Sequence, residues 1–220
     1  MAIPTSKTAI CNLALDYLSQ EEIVTNIDTP STQTEVVCSR WYDVTRREVL
    51  RGSVWNFAKT RTTLSLNSSS PAFGYDDAYN LPNDFLRLLL VTNGDDLTCD
   101  RSIIEDYEIE GKQILINNGG ANSLFIIYIK DETNVSKYDA LFVKALALSL
   151  ALNIAYKFTL KDRVVNRVKA LLTETLQKAR SIDGQERPPR IIDNTYLSNV
   201  RRNMSSSSTI TNAQYYSFPY

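Results

Sequence analysis

Asp43-Val44-Thr45-Arg46-Arg47-Glu48-Val49-Leu50, Val54-Trp55-Asn56-Phe57-Ala58 and the polar run Lys59 to Leu66 take the chain out of a charged helix end and into a sheet. Pro71-Ala72-Phe73-Gly74-Tyr75, Tyr79 and Leu81-Pro82-Asn83-Asp84-Phe85-Leu86-Arg87 follow. Helical spacing gives way to strand alternation across this stretch, so helices and strands occupy separate blocks, the mark of an α+β chain.

Upstream, Ile10, Leu13, Ala14, Tyr17 and Leu18 recur at helical spacing and predict a first helix from about Ser6 to Ser19. A loop with Asp28-Thr29-Pro30 leads to Thr32-Gln33-Thr34-Glu35, a capping box that predicts the start of a second helix. Val37, Trp41 and Val44 mark its apolar side, with Cys38 and Tyr42 alongside, and Gly52 suits a left-handed end.

Downstream, residues 58–130 read as a mostly antiparallel β region. Its candidate strands are Lys59–Leu66, Phe85–Thr92, Leu97–Cys99, Tyr107–Glu110, Gln113–Ile116 and Leu124–Lys130. Glu110-Gly111-Lys112 reads as a tight hairpin turn and Asn117-Asn118-Gly119-Gly120 as a longer one, while Tyr75, Tyr79 and Leu81-Pro82 read as a packed loop. A third helix, about Tyr138 to Phe158, is apolar on nearly every side and is expected at the centre of the helices. A fourth, about Lys161 to Ser181, has the seam Val164, Val168, Leu171, Leu172, Thr175, Leu176 and Ala179.

After Asp183 the periodicity stops, and the 37 residues from Gly184 could reach on the order of 120 Å if fully extended. The expected organisation is a four-helix bundle from 1–57 and 131–183, an inserted β-rich domain at 58–130 and an extended C-terminal arm at 184–220.

Composition narrows the function classes. There is no histidine, which removes Ser-His-Asp and Cys-His catalysis and histidine metal ligands. Cys11, Cys38 and Cys99 are odd in number and far apart in sequence, and they read as buried free thiols. The N-terminal residues carry no signal-peptide pattern, and the apolar run Ala145–Tyr156 is too short to span a bilayer, so no membrane partner is expected. Net charge is −1, but residues 161–220 carry +5 and residues 1–160 carry −6. No catalytic centre, cofactor or metal is expected; Glu21-Glu22 and Asp76-Asp77 are the least implausible paired carboxylates.

Three sets of residues could meet partners. Asp106, Glu108 and Glu110 alternate along a strand and share one face. That face reads first as solvated, with a cation site or a channel lining that repels DNA as the other readings. Arg163, Arg167, Lys169, Lys178 and Arg180 lie on the fourth helix, as a solvated face or a partner surface, protein before DNA. Arg201, Arg202, Tyr215, Tyr216, Phe218 and Tyr220 put charge and aromatics on the arm, the residue types that anchor interfaces. Trp41, Trp55 and Phe57 could stack on bases but read first as a core hinge between helices and sheet.

The chain resembles the tail tubular protein A and head-to-tail adaptor family of short-tailed bacteriophages. Ile10-Cys11-Asn12-Leu13-Ala14-Leu15-Asp16-Tyr17-Leu18 is similar to the family's I-x-N-x-A-L-x-x-L helix, and Asp28 to its acidic loop residue. Asp43, Arg46 and Leu50 fit D-x-x-R-x-x-x-L, Trp55 to Ala58 fit W-N-F-A, and Tyr79 to Arg87 fit Y-x-L-P-x-D-x-L-R. The order and spacing match over roughly residues 8–180, with departures in the β insertion and the tail.

The resemblance implies a non-enzymatic structural virion protein. It would form a dodecameric ring under the portal, join it to the tail nozzle or tube, and extend the DNA ejection channel. It implies portal contact by 184–220, tail-side contacts by the loops of 67–122, tail fibres as a further partner, ring interfaces on the helices, and assembly in the host cytoplasm. Two other classes stay open: a virion-associated peptidoglycan hydrolase, and a DNA-binding module acting through the face of the fourth helix.

Overall fold

The computed structural model describes residues 6–21, 23–92, 94, 104, 106–159 and 161–185. They form four helices and two small antiparallel sheets. Helix α1 is Lys7–Tyr17, α2 Gln33–Gly52, α3 Ala140–Phe158 and α4 Asp162–Gln185. The strands are β1 Lys59–Ser65, β2 Asp77–Asn80, β3 Phe85–Thr92, β4 Tyr107–Glu110, β5 Gln113–Ile116 and β6 Ser123–Lys130.

Helix starts follow their caps. The Ser6 hydroxyl accepts from the Ala9 N–H at 3.1 Å, and the capping box at Thr32 and Glu35 is formed. Helix ends depart from expectation. Gly52 is the last helical residue of α2 and has no left-handed φ; the helix stops because Ser53 turns extended (φ −140°, ψ 158°). The left-handed residue lies at the end of α1 instead, at Ser19 (φ 56°). There the Gln20 N–H reaches the Leu15 carbonyl and the Ser19 N–H that of Asp16, closing a Schellman pair. Helix α4 continues to Gln185, past Asp183 where the apolar pattern ends.

Helix α3 packs against α1, α2 and α4. Phe142, Leu146, Leu150 and Ile154 sit fully inside a core that also takes Ile10 and Leu15 of α1, Tyr42 and Leu50 of α2, and Val168 and Ala179 of α4. By length and composition α3 is long and apolar enough to cross a membrane. Its packing among the other three helices accounts for that composition. The buried side of α2 is rotated from the expected one: Cys38, Tyr42, Thr45 and Arg46 point inward, whereas Val44 is 55% exposed.

The β region is two three-stranded sheets, ordered β1-β6-β3 and β2-β5-β4. Strand β2 replaces the loop expected around Tyr79; it is four residues long, too short for a period-two signal, and is held in place by β5. Buried Asp77 opens it, and its carboxylate accepts from the N–H groups of Asn118 and Gly120, both at 3.0 Å, fixing the turn between β5 and β6. Leu64, Leu124 and Ile126 of the first sheet meet Tyr79, Ile114 and Ile116 of the second in a separate core. Ile129 of β6 and Leu86 and Leu89 of β3 join the helical core instead, so the first sheet lies between the helices and the second sheet. The expected strand Leu97–Cys99 lies outside the described residues.

Candidate interaction surfaces

The junction of helices and sheets is built around Arg46, which is 2% exposed. Its guanidinium bonds Asp131 just past β6 at 2.5 Å, the Glu132 carbonyl at 2.9 Å and Asp43 one turn back on α2 at 3.3 Å. Burial is the largest single influence and opposes its charge, but Asp131, Tyr138 and Asp43 together outweigh it and hold the arginine's pKa above its ordinary value. Arg47 bonds the second Asp131 oxygen at 2.9 Å. Glu132 takes Lys130 and Lys137. Burial would raise its pKa; the Lys130 ammonium, the Asn134 N–H and Lys137 prevail and hold it at about 2.

Aromatic rings pack beside this junction. Phe142 has Tyr138 at 4.8 Å, Phe57 at 4.9 Å and Trp55 at 5.1 Å, each near edge-to-face. Trp55 is buried and its indole N–H donates to the Val49 carbonyl at 3.0 Å. Trp55 and Phe57 are therefore core residues, with Trp41 half-buried against the same core, as the hinge reading expects.

The other residues of the resemblance are fasteners too. Asn12 exchanges two hydrogen bonds with Val24. Asp28 pairs with Lys7. The Tyr79 hydroxyl donates to the Ala121 carbonyl at 2.6 Å, and Asp84 accepts from the Tyr128 hydroxyl at 3.0 Å. Arg87 donates to the Arg51 carbonyl at 3.3 Å.

The Glu35 carboxylate goes beyond its cap. It accepts from the N–H groups of Ser31, Thr25, Thr32 and Asn26 and from the Ser31 hydroxyl, which together hold its pKa at about 2. Sequence reasoning saw only the cap, because the loop closing over Glu35 is a tertiary arrangement. Cys11 and Cys38 are buried, form no disulfide and are brought into contact by α1 and α2; the Cys38 hydrogen bond and burial push the Cys11 thiol up. Cys99 lies outside the described residues.

Asp106, Glu108 and Glu110 stay on the exposed side of β4. Burial, then Asp106 and Glu108, push the Tyr75 hydroxyl up, placing that ring beside the acids. Among the described residues no cluster of metal-ligating side chains forms. Glu21 is exposed and Asp77 is committed to backbone N–H groups; Glu22 lies outside the described residues. Arg163, Arg167, Lys169, Lys178 and Arg180 are all exposed on α4, with Lys178 paired to Glu174. Arg201, Arg202, Tyr215, Tyr216, Phe218 and Tyr220 lie outside the described residues.

No protein-family model matches this chain, and no curated protein matches it.

Two further surfaces are formed by the tertiary structure. Phe73 stands 88% exposed in the loop before β2. A cleft of about 600 Å³ opens between β3 and β4 and is lined by Arg51, Phe85, Arg87, Tyr107, Ile109 and Lys112 among others. The signal for the cleft was the pair of hairpin and strand motifs, but the meeting of their edges depends on how the two sheets pack.

Proposed function

We propose that this chain is a structural, non-enzymatic virion protein: a head-to-tail adaptor that assembles as a dodecameric ring beneath the portal of a short-tailed bacteriophage. The ring joins the portal to the tail nozzle or tube, with tail fibres as a further partner, and extends the channel for genome ejection. DNA passes through without sequence-specific binding. No cofactor, metal or membrane takes part, and assembly takes place in the host cytoplasm.

The observation that carries this reading is the common role of the resembling motifs. Asn12, Arg46, Tyr79 and Asp84 each tie together stretches of chain that are separate in sequence. A ring subunit under load from a packed genome needs that kind of rigid joint. The core shared by all four helices around α3 supports a four-helix bundle with the sheets inserted into it. In this reading the residues beyond α4, 186–220, are an extended arm that grips the portal through Arg201, Arg202, Tyr215, Tyr216, Phe218 and Tyr220. The exposed cations Arg163, Arg167, Lys169 and Lys178 serve neighbour contacts, which in a ring join different patches. Asp106, Glu108 and Glu110 face the channel or tail and repel passing phosphates.

Electron microscopy of the chain with the portal ring encoded beside it tests this. A second ring stacked on the portal, lost when 186–220 are removed, is the expected result. Bare portals under every condition overturn the adaptor reading. Reversal of Arg163, Arg167 and Lys169 to Glu is expected to disturb ring assembly; loss of duplex binding with assembly intact favours the DNA-binding class instead.

A further inference from the structure

The cleft between β3 and β4 joins three features that belong to different parts of the chain. First, both strands are sheet edges: β3 ends the order β1-β6-β3 and β4 ends β2-β5-β4. An edge strand presents unpaired N–H and C=O groups, a template for another strand. The hairpin from β4 to β5 turns on Gly111 and Lys112, with Gly111 at φ 56°. A two-residue hairpin closes on a hydrogen-bonded pair, here Glu110 and Gln113. Alternation then turns the backbone groups of Ile109 and Tyr107 outward.

Second, the cleft is cationic. Arg51 closes α2, Arg87 leans on the Arg51 carbonyl at 3.3 Å, and Lys112 sits on the hairpin turn. Among the described residues none of these three cations has a carboxylate partner. Third, the floor is apolar: Phe85, Tyr107 and Ile109 line it, and Ile109 is 41% exposed. Glu108 and Glu110 alternate with Tyr107 and Ile109 and lie on the other side of the same strand.

We propose that this cleft binds an extended, acidic segment of a partner protein, which adds to β4 as a further strand. Carboxylates on its cleft side meet Arg51, Arg87 and Lys112, and apolar residues between them cover Phe85 and Ile109. Its opposite side carries neutral residues, because it runs past Glu108 and Glu110. Main-chain pairing supplies affinity and the alternating side chains supply selectivity. The same acids repel a nucleic-acid backbone, so a peptide is favoured over a phosphate chain. The inference does not depend on the ring reading; it rests on the edges and charges alone.

The test is fluorescence anisotropy of the full chain with a dye-labelled octapeptide of the repeat Asp-Thr-Val-Thr. Saturable binding is expected, weakened by about tenfold or more in the double variant Arg87→Glu, Lys112→Glu, whose exposed sites leave the circular dichroism unchanged. A peptide with Lys in place of Asp should not bind. N-methylating either the Asp and Val nitrogens or the Thr nitrogens should abolish binding in one of the two cases, since a strand donates to its neighbour from one set only. No binding, binding indifferent to the double variant, equal binding of the Lys peptide, retention by both methylated forms, or displacement by tighter-binding single-stranded DNA would each overturn the proposal.

Discussion

Arg46 and Asp131 are 85 positions apart and meet at 2.5 Å, with Arg46 2% exposed and Asp131 15% exposed. One residue belongs to the middle of α2 and the other to the exit from β6. Their bond clamps the helical part of the chain to the sheets. A buried guanidinium needs a partner for each face of its fork, and here Asp43, Asp131 and the Glu132 carbonyl supply them.

Removing that guanidinium leaves Asp131 half-paired and opens the joint. Arg46→Ala is expected to cost about 3–5 kcal/mol in urea denaturation, the range for a broken buried pair. Arg47→Ala touches the same carboxylate from a 60% exposed position and should cost less than about 1 kcal/mol. Equal losses for the two would mean the burial of Arg46 contributes nothing.

Acid sensitivity should trace to Glu35 and Glu132. Both have folded pKa values of about 2, below the ordinary unfolded value of about 4.3. The stability they lend is complete above the unfolded value and is lost as pH falls through the folded one. Glu35→Gln should therefore lower Tm at neutral pH and flatten its decline between about pH 4.5 and pH 2. Parallel Tm curves for variant and wild type across that window would remove Glu35 as the cause.

The ring cluster offers a contrast between two phenylalanines. Phe142, fully buried with three aromatic neighbours, should lose about 3–5 kcal/mol on truncation to Ala. Phe73→Ala, at a site 88% exposed, should stay within about 0.5 kcal/mol. Chemical denaturation of the two variants side by side checks this, and a comparable loss at Phe73 would show that its loop is packed in solution.

Ser19 occupies the left-handed position that ends α1, at φ 56°. A side chain there meets the following carbonyl, a strain that glycine avoids. Ser19→Gly is expected to raise stability by about 0.5–1 kcal/mol, offset in part by the freer unfolded chain. An unchanged or lower Tm would mean that the Schellman hydrogen bonds from Ser19 and Gln20 do not hold the chain end in place.

Much of this architecture was legible one residue at a time. The capping box at Thr32 predicts the start of α2 because a hydroxyl and a carboxylate three residues apart satisfy the first N–H groups locally. Phe85–Thr92, Tyr107–Glu110 and Gln113–Ile116 are strands with the predicted bounds, and the turn at Gly111 joins the last two as its residues predict, since turn chemistry is a property of the segment itself. Helix α3 had to be central because no orientation hides its apolar residues from one side only.

Tertiary structure decided the rest. Short β2 exists because β5 supplies its hydrogen bonds, and its four residues carry too little periodicity to announce it. The inward turn of Arg46, with Val44 left outside, depends on a carboxylate arriving from the far end of the β region. The division into two sheets, and the cationic cleft where their edges meet, depends on which face of each strand finds which core. Local chemistry sets where elements begin, end and what they can bury; only the packing of elements distant in sequence determines which charges are buried together and which edges remain open.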